Sequence, residues 1–442
     1  MSTVSVAKKR AVPLLAHPGF VIFGAVVVSQ FLSGLGSGLT AFGLSVWAFQ
    51  STKSVTAIAL IAAFSQLPRS ASMLFSGALV DRYGPRRALL AANAGAALCL
   101  VPLLLLAWRG QLAVWHIYVF SALSAVFMSL QWPSASASVV ALFPKPDYVR
   151  ANGLLQTAFA ASSILFPLTA GFLFARSNLG IVLIAGIGLF ALGMLFLSFV
   201  EIPKSLAVEQ GAKQAGGSFL REITEGWSYL RAERELFRLT LVFTGCSFLT
   251  AMASVLLKPL LLSFASALTL GVVLSIAGLG MLLGSLAVSA WGVAARTLKG
   301  LMPLMGLSGL CMVVAGSRNS AVLIGAAMLF YTLLQPILSS GIQTVTQDRT
   351  PPELQGRISA TMMAIATGVM PIAYPLAGPL ADHVTEPLLV TNGPLAGSIG
   401  LLIGAGPGRG IGFLYIVLGF AIIGLAILGA VERRKAPQAT NS

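Results

Sequence analysis

Apolar residues run along this chain in long stretches separated by short clusters of charge, glycine and proline. Twelve such stretches are legible, at about 19–48, 54–79, 88–108, 113–141, 152–175, 179–200, 238–264, 268–291, 301–316, 320–345, 358–381 and 411–431. About 20 apolar residues in a helix cross a bilayer core once. The pattern therefore predicts an all-α membrane protein with twelve transmembrane helices. The longest polar interval, 201–237, separates six spans from six. Residues 1–200 are expected to form one six-helix bundle and 238–442 a second. Within the interval, Phe219, Ile223, Trp227 and Leu230 recur at helical spacing with Arg221, Glu222, Glu225 and Arg231 between them. That spacing predicts a linker with an amphipathic helix on the inner membrane face.

The two halves repeat each other. Gly77 to Gly84 closes span 2 as Gly284 to Val288 closes span 8, at an offset of 207 residues. The run ending at Arg150 before span 5 is echoed by the run ending at Arg357 before span 11, again at 207. Phe166-Pro167-Leu168 answers Tyr374-Pro375-Leu376, slipped by one residue. Tandem six-span repeats are the pattern of a rocker-type secondary transporter, with pseudo-symmetry about an axis along the membrane normal. One chain holds both halves, so a monomer suffices.

Composition sharpens the class. Of 442 residues, 57% are apolar and 9% charged; soluble domains carry roughly 25% charged residues. A soluble enzyme, a nucleic-acid-binding domain and a disordered chain are excluded. The net charge of +15 has a topological cause. With the N-terminus inside, the inner segments hold 21 Lys and Arg, the outer segments five, and two (Arg69 and Lys258) fall within spans. This positive-inside bias puts both termini of a multi-pass protein in the cytoplasm, and no nucleic-acid partner is needed. Cys99, Cys246 and Cys311 lie in separate spans and form no disulfide or zinc pattern, so no metal or cofactor is expected.

The loop after span 2, Gly77-Ala78-Leu79-Val80-Asp81-Arg82-Tyr83-Gly84-Pro85-Arg86-Arg87, resembles the signature of the major facilitator superfamily, with Pro85 where a basic residue is usual. Gln131-Trp132-Pro133, Pro351 to Arg357, Ala377 to Asp382 and the loop Gly404 to Gly410 resemble the macrolide-efflux-type branch of bacterial drug:proton antiporters. The resemblance covers nearly the whole chain. It implies a twelve-helix exporter that alternates access between two faces, with protons as the coupling ion. It also implies that Asp81 meets the inner end of span 11 near Ser359, with Gly77, Arg82, Gly84 and Arg86 completing the gate motif. A carboxylate can accept from the unpaired N–H groups of such a helix end. Arg82 and Arg86 are expected to pair with acids or lipid phosphates. Val288 replaces the acid in the second repeat, so the latch is expected on one half only.

Polar stripes mark spans 1, 4, 7 and 10, the cavity helices of the resembling fold. They include Gln30, Ser33 and Ser37 in span 1, Gln131 in span 4, Ser254 and Lys258 in span 7, and Gln335 and Ser339 in span 10. An amide facing lipid unpaired costs several kcal/mol, about as much as any buried unpaired polar group, so these faces meet protein or water. They read either as cavity lining or as interhelical glue. Gly34-x-x-x-Gly38 and Gly280-x-x-x-Gly284 read as close packing. Arg69, on a stripe with Gln66, lies twelve residues before Asp81, roughly 18 Å deep at 1.5 Å per residue. It either bonds main-chain carbonyls at Pro68 or lines the cavity and attracts an anionic substrate group.

All 13 acids fall in loops or at span ends, and only Asp382 and Glu386 lie on the outer side. Asp382 is therefore the remaining candidate for proton coupling. No nucleotide-binding loop and no nucleophile–base pair is present, so the chain reads as a transporter rather than an enzyme. The expected activity is export of a small amphipathic molecule, an antibiotic or secondary metabolite. An importer or uniporter of a nutrient or organic anion on the same fold is the alternative, because fold does not set direction.

Overall fold

A computed structural model describes residues 19–144, 147–202, 227, 230–231, 233–291, 298–351 and 354–431. The described residues are all-helical, with twelve spans in two bundles of six when the bent second helix is taken as one span. In chain order the spans are Phe20–Thr52, Val55–Tyr83, Pro85–Trp108, Val114–Leu142, Tyr148–Arg176, Leu179–Ser198, Arg234–Leu262, Ala267–Trp291, Leu298–Ser317, Ala321–Asp348, a broken eleventh beginning at Gln355, and Arg409–Val431. Helices 1, 2 and 10 continue past the apolar runs, because a helix that has crossed the bilayer keeps its backbone bonds in water. Most of the linker helix expected within 201–237, the basic terminal residues and the side chain of Arg357 lie outside the described residues. Leu230 is fully buried with Leu236 and Leu239 at the start of span 7.

Local chemistry sets the breaks. Span 4 parts between Met128 and Gln131, ahead of Pro133, whose ring would collide with the carbonyl four residues earlier. Span 11 parts at Val369 before Pro371, and Pro379 leads into a π-helical turn, Leu380–Thr385, then Glu386–Leu389. Span 2 contains Pro68, and its arms Val55–Met73 and Phe75–Tyr83 are bent by 59°. Gly84, at φ 84°, makes the tight turn that lets span 3 start on Pro85.

Small residues let helices close in. A side chain on Gly34 would strike Ser162 of span 5, and one on Gly284 would strike the Leu333 carbonyl of span 10. These are close-approach packing sites within each half.

The halves meet asymmetrically. We call the end where span 1 begins the near end, and the opposite one the far end. One core cluster joins both halves through Leu39, Phe42, Val55 and Ala59 on one side and Leu256, Leu260, Ala373 and Ala377 on the other. The remaining clusters each stay within one half. Spans 5 and 8 touch where Gly171 meets Gly271, and Ser275 Oγ donates to the Ile164 carbonyl at 2.8 Å. Among the described residues, every hydrogen bond between the halves lies from mid-span to the far end.

Candidate functional site

The first turn of a helix has N–H groups with no partner inside the helix, and an acid is the strongest acceptor for them. At the far end that acid comes from the other half. Asp382 Oδ1 accepts from Val55 N at 2.9 Å; Oδ2 accepts from Thr56 N at 2.8 Å and from Ser54 Oγ at 2.7 Å. Asp382 thus caps span 2 from span 11. The wider π turn sets Asp382 off the register of the preceding α-helix. Close approach is made by Gly378, where an added Cβ would meet Thr56 and Ala59. Nearby, Lys258 Nζ donates to Ser45 Oγ at 3.1 Å, tying span 7 to span 1.

The near end differs. Asp81 is exposed and bonds to no described side chain or backbone N–H. Gly77 is open on its Cβ side, with nothing within 4 Å. Arg82 lies over the Tyr83 ring at 5.6 Å. Arg86, expected beside acids or lipid phosphates, instead donates to the Leu197 carbonyl at 3.0 Å and the Ser198 carbonyl at 2.8 Å. The reason is local: the last carbonyls of span 6 lack helical donors, and a cation satisfies them.

Between the two ends lie two mid-span cavities, one in each half. That of the first half has a volume of ≈ 230 Å³ and is lined by Gln30, Ser33, Ser37, Arg69 and Gln131 together with Met128, Trp132, Phe159, Ser162 and Phe166. Ser33 Oγ donates to Asn93 Oδ1 at 2.6 Å, and Gln131 Nε2 donates to the same oxygen at 2.8 Å. Asn93 Nδ2 donates to Ser29 Oγ at 3.3 Å, which closes a buried network over spans 1, 3 and 4. With its amide nitrogen committed to Asn93, Gln131 keeps Oε1 as a buried acceptor with no partner among the described residues. Arg69 is exposed and makes no hydrogen bond or ion pair with a described residue, main-chain carbonyls at Pro68 included.

The second cavity, ≈ 240 Å³, is lined by Gln335 and Ser339 with Cys246, Ser247, Thr250 and Met370. Of the other stripe residues, Ser254 is exposed and bonds back to the Ala251 carbonyl at 2.7 Å. Gln66 is half-buried and lines neither cavity. Among the described residues, no acid lines either one.

The sequence profile of the Major Facilitator Superfamily matches residues 26–373, well over half of the chain. The chain belongs to the major facilitator superfamily. This facilitator is 21% identical over 374 residues to macrolide efflux protein A of Streptococcus pyogenes, covering 82% of this chain and 90% of that one. It is 27% identical over 397 residues to the multidrug efflux pump Tap of Mycobacterium tuberculosis, covering 83% and 87%. Its fold is similar to that of the nucleoside transporter NupG, with a TM-score of 0.68 at 13% identity, covering 94% of this chain and 100% of that one. The facilitator is a membrane transport protein and not an enzyme.

Two groups of this facilitator escaped the sequence reading. Asn93, fully buried, was findable, since an amide inside the apolar run of span 3 obeys the same rule as Gln131. The second is a far-end clasp. Glu386 Oε1 accepts from Gly408 N at 2.6 Å, and Arg409, 3% exposed, donates to Asn319 Oδ1 at 2.5 Å and to the Gly316 carbonyl at 2.8 Å. These partners lie at the far ends of spans 9, 11 and 12 and in the loops beside them, and no spacing rule links them.

Proposed function

We propose that this facilitator exports a small amphipathic molecule across a bacterial inner membrane by alternating access, in exchange for protons. The positive-inside bias makes the near end cytoplasmic, and the efflux names of the relatives favour export over import. The two bundles, 1–200 and 238–442, rock about the cavity as one monomer, with 201–237 as the tether.

One observation carries the reading: Asp382 caps span 2 at the far end while Asp81 stands uncapped at the near end. Spans 2 and 11 run antiparallel, and each ends in an aspartate. Asp382 faces the start of span 2, and Asp81 is placed to face the start of span 11. The two latches are reciprocal, because closing one end separates the other. The structure is then the state open to the cytoplasm.

Protonating Asp382 removes a charge that three donors share, so acid at the outer surface releases the outer latch. This makes Asp382 a gate rather than a carrier of the coupling proton, which needs access from both sides. Gln30, Ser33, Ser37, Arg69 and Gln131 of one half, with Gln335 and Ser339 of the other, face the substrate. Lys258 steadies the far-end contact.

Inside-out vesicles from a pump-deficient bacterium test this. Vesicles carrying the protein are expected to accumulate at least one dye or drug of a chemically broad panel under an imposed pH gradient, and to lose it when a protonophore is added. Accumulation that survives the protonophore refutes proton exchange; accumulation confined to right-side-out vesicles refutes export.

A further inference from the structure

Three observations about the first cavity go beyond a general export role. The Arg69 guanidinium sits at mid-span with no hydrogen bond or ion pair to a described residue. An arginine at that depth is costly unless it meets water or an anion. It lies on span 2, one residue after Pro68, and no acid is among the described residues lining either cavity, so none of them supplies a counter-ion there.

Second, Gln131, 7% exposed, carries a buried carbonyl oxygen with no donor. Such an oxygen, shut off from water, loses roughly 1–3 kcal/mol until a donor arrives. Its orientation is fixed, since Asn93 Oδ1 already accepts from Ser33 and needs a donor, not an acceptor, from Gln131.

Third, the wall that completes the cavity is aromatic and apolar: Trp132, Phe159, Phe166 and Met128. Arg69, the Gln131 side chain and the apolar wall line one volume of ≈ 230 Å³.

We propose that this cavity selects amphipathic organic anions that carry an N–H or O–H donor on an aromatic body. Arg69 takes the carboxylate or other acidic oxygen, Gln131 Oε1 takes the donor, and the aromatic wall takes the body. The substrate brings the counter-charge that the protein lacks, so occupied protein loses its unpaired cation. Cationic amphiphiles are rejected by Arg69, because no acid in the cavity offsets it. This specificity rests on the cavity being the transport site, but it makes its own claim about charge and does not depend on direction or coupling.

Equilibrium binding to purified protein in lipid nanodiscs tests it, with indole-acetate as probe and indole-acetamide, tryptamine and N-methylindole-acetate as competitors. Wild-type protein is expected to bind indole-acetate saturably and at least tenfold more tightly than indole-acetamide, with no competition from tryptamine. Arg69→Gln should erase the preference for acetate over acetamide, and Arg69→Lys should keep most of it. The N-methyl group should weaken binding to wild-type protein and leave Gln131→Leu unaffected. A thermal melt of each variant separates lost charge recognition from lost fold, with Arg69→Lys as the folded reference. Equal affinity for acetate and acetamide in wild-type protein overturns the proposal, as do an intact preference in Arg69→Gln and the absence of saturable binding. Binding as expected in a protein that fails the vesicle assay would refute export and leave the site standing.

Discussion

Replacing Asp382 by alanine removes the cap that the second half places on span 2. A side-chain cap at a helix start contributes about 0.5–2 kcal/mol, and a negative charge there adds about 0.3–1 kcal/mol. Asp382 is half-buried, so its bonds to Ser54 Oγ, Val55 N and Thr56 N are only partly shielded from water. About 2 kcal/mol is therefore expected to leave the far-closed state, a shift of about 30-fold at 1.4 kcal/mol per tenfold. The residue to watch is Val55, 3% exposed beneath the latch. In a background with Cys99, Cys246 and Cys311 replaced, Val55→Cys reacts with a membrane-impermeant maleimide only when the far end opens. Labelling applied from the far side should quicken about 30-fold in Asp382→Ala while protein abundance holds. An unchanged labelling rate would mean that the cap is ornamental and that the core around Ala59 and Ala377 alone holds the far end shut.

Other perturbations have distinct signatures. Asp81→Asn should leave insertion intact, keep the near end open longer and slow transport, read as faster cytoplasmic labelling of a cysteine placed at Ser37. Asn93→Leu leaves Ser33 and the Gln131 amide without their shared acceptor, so thermal denaturation should show a loss of about 2–4 kcal/mol. Arg409→Met frees the Gly316 carbonyl and Asn319 and leaves Glu386 without its neighbouring cation, with an expected loss of about 3 kcal/mol by the same assay. Gly284→Leu drives a side chain into the Leu333 carbonyl and should cost about 3 kcal/mol or abolish expression, whereas Gly77→Ala, with open space around it, should be near neutral in stability.

Sequence and structure agree where a local rule decides the outcome. Membrane crossing needs only a long enough apolar run, so twelve spans were legible, and the doubled motifs revealed the tandem halves. Gln30, Ser33, Ser37, Arg69 and Gln131 could be placed on faces that avoid lipid, and the structure gathers them around one cavity. Ser254 and Gln66 obey the same rule without reaching a cavity, because a polar stripe states what a face avoids and not what it meets. Asp382 was legible as an isolated outer acid. Its bonding was not, because it needs span 2 of the other half, more than 300 residues away in sequence. Arg86 and the Glu386–Arg409 clasp depend likewise on helix ends that only folding brings near.

The reciprocal latch is tested most directly by spin-label distances on the two spans that meet across the halves. One pair, at Leu154 and Leu286, spans the near end; a second, at Phe172 and Val272, spans the far end. In wild-type protein the near-end pair should be long and the far-end pair short. Asp382→Asn should move population toward a short near end and a long far end, and Asp81→Asn should move it the opposite way. If both variants shift the distances in the same direction, or the two pairs change independently, the protein does not alternate by exchanging these two latches.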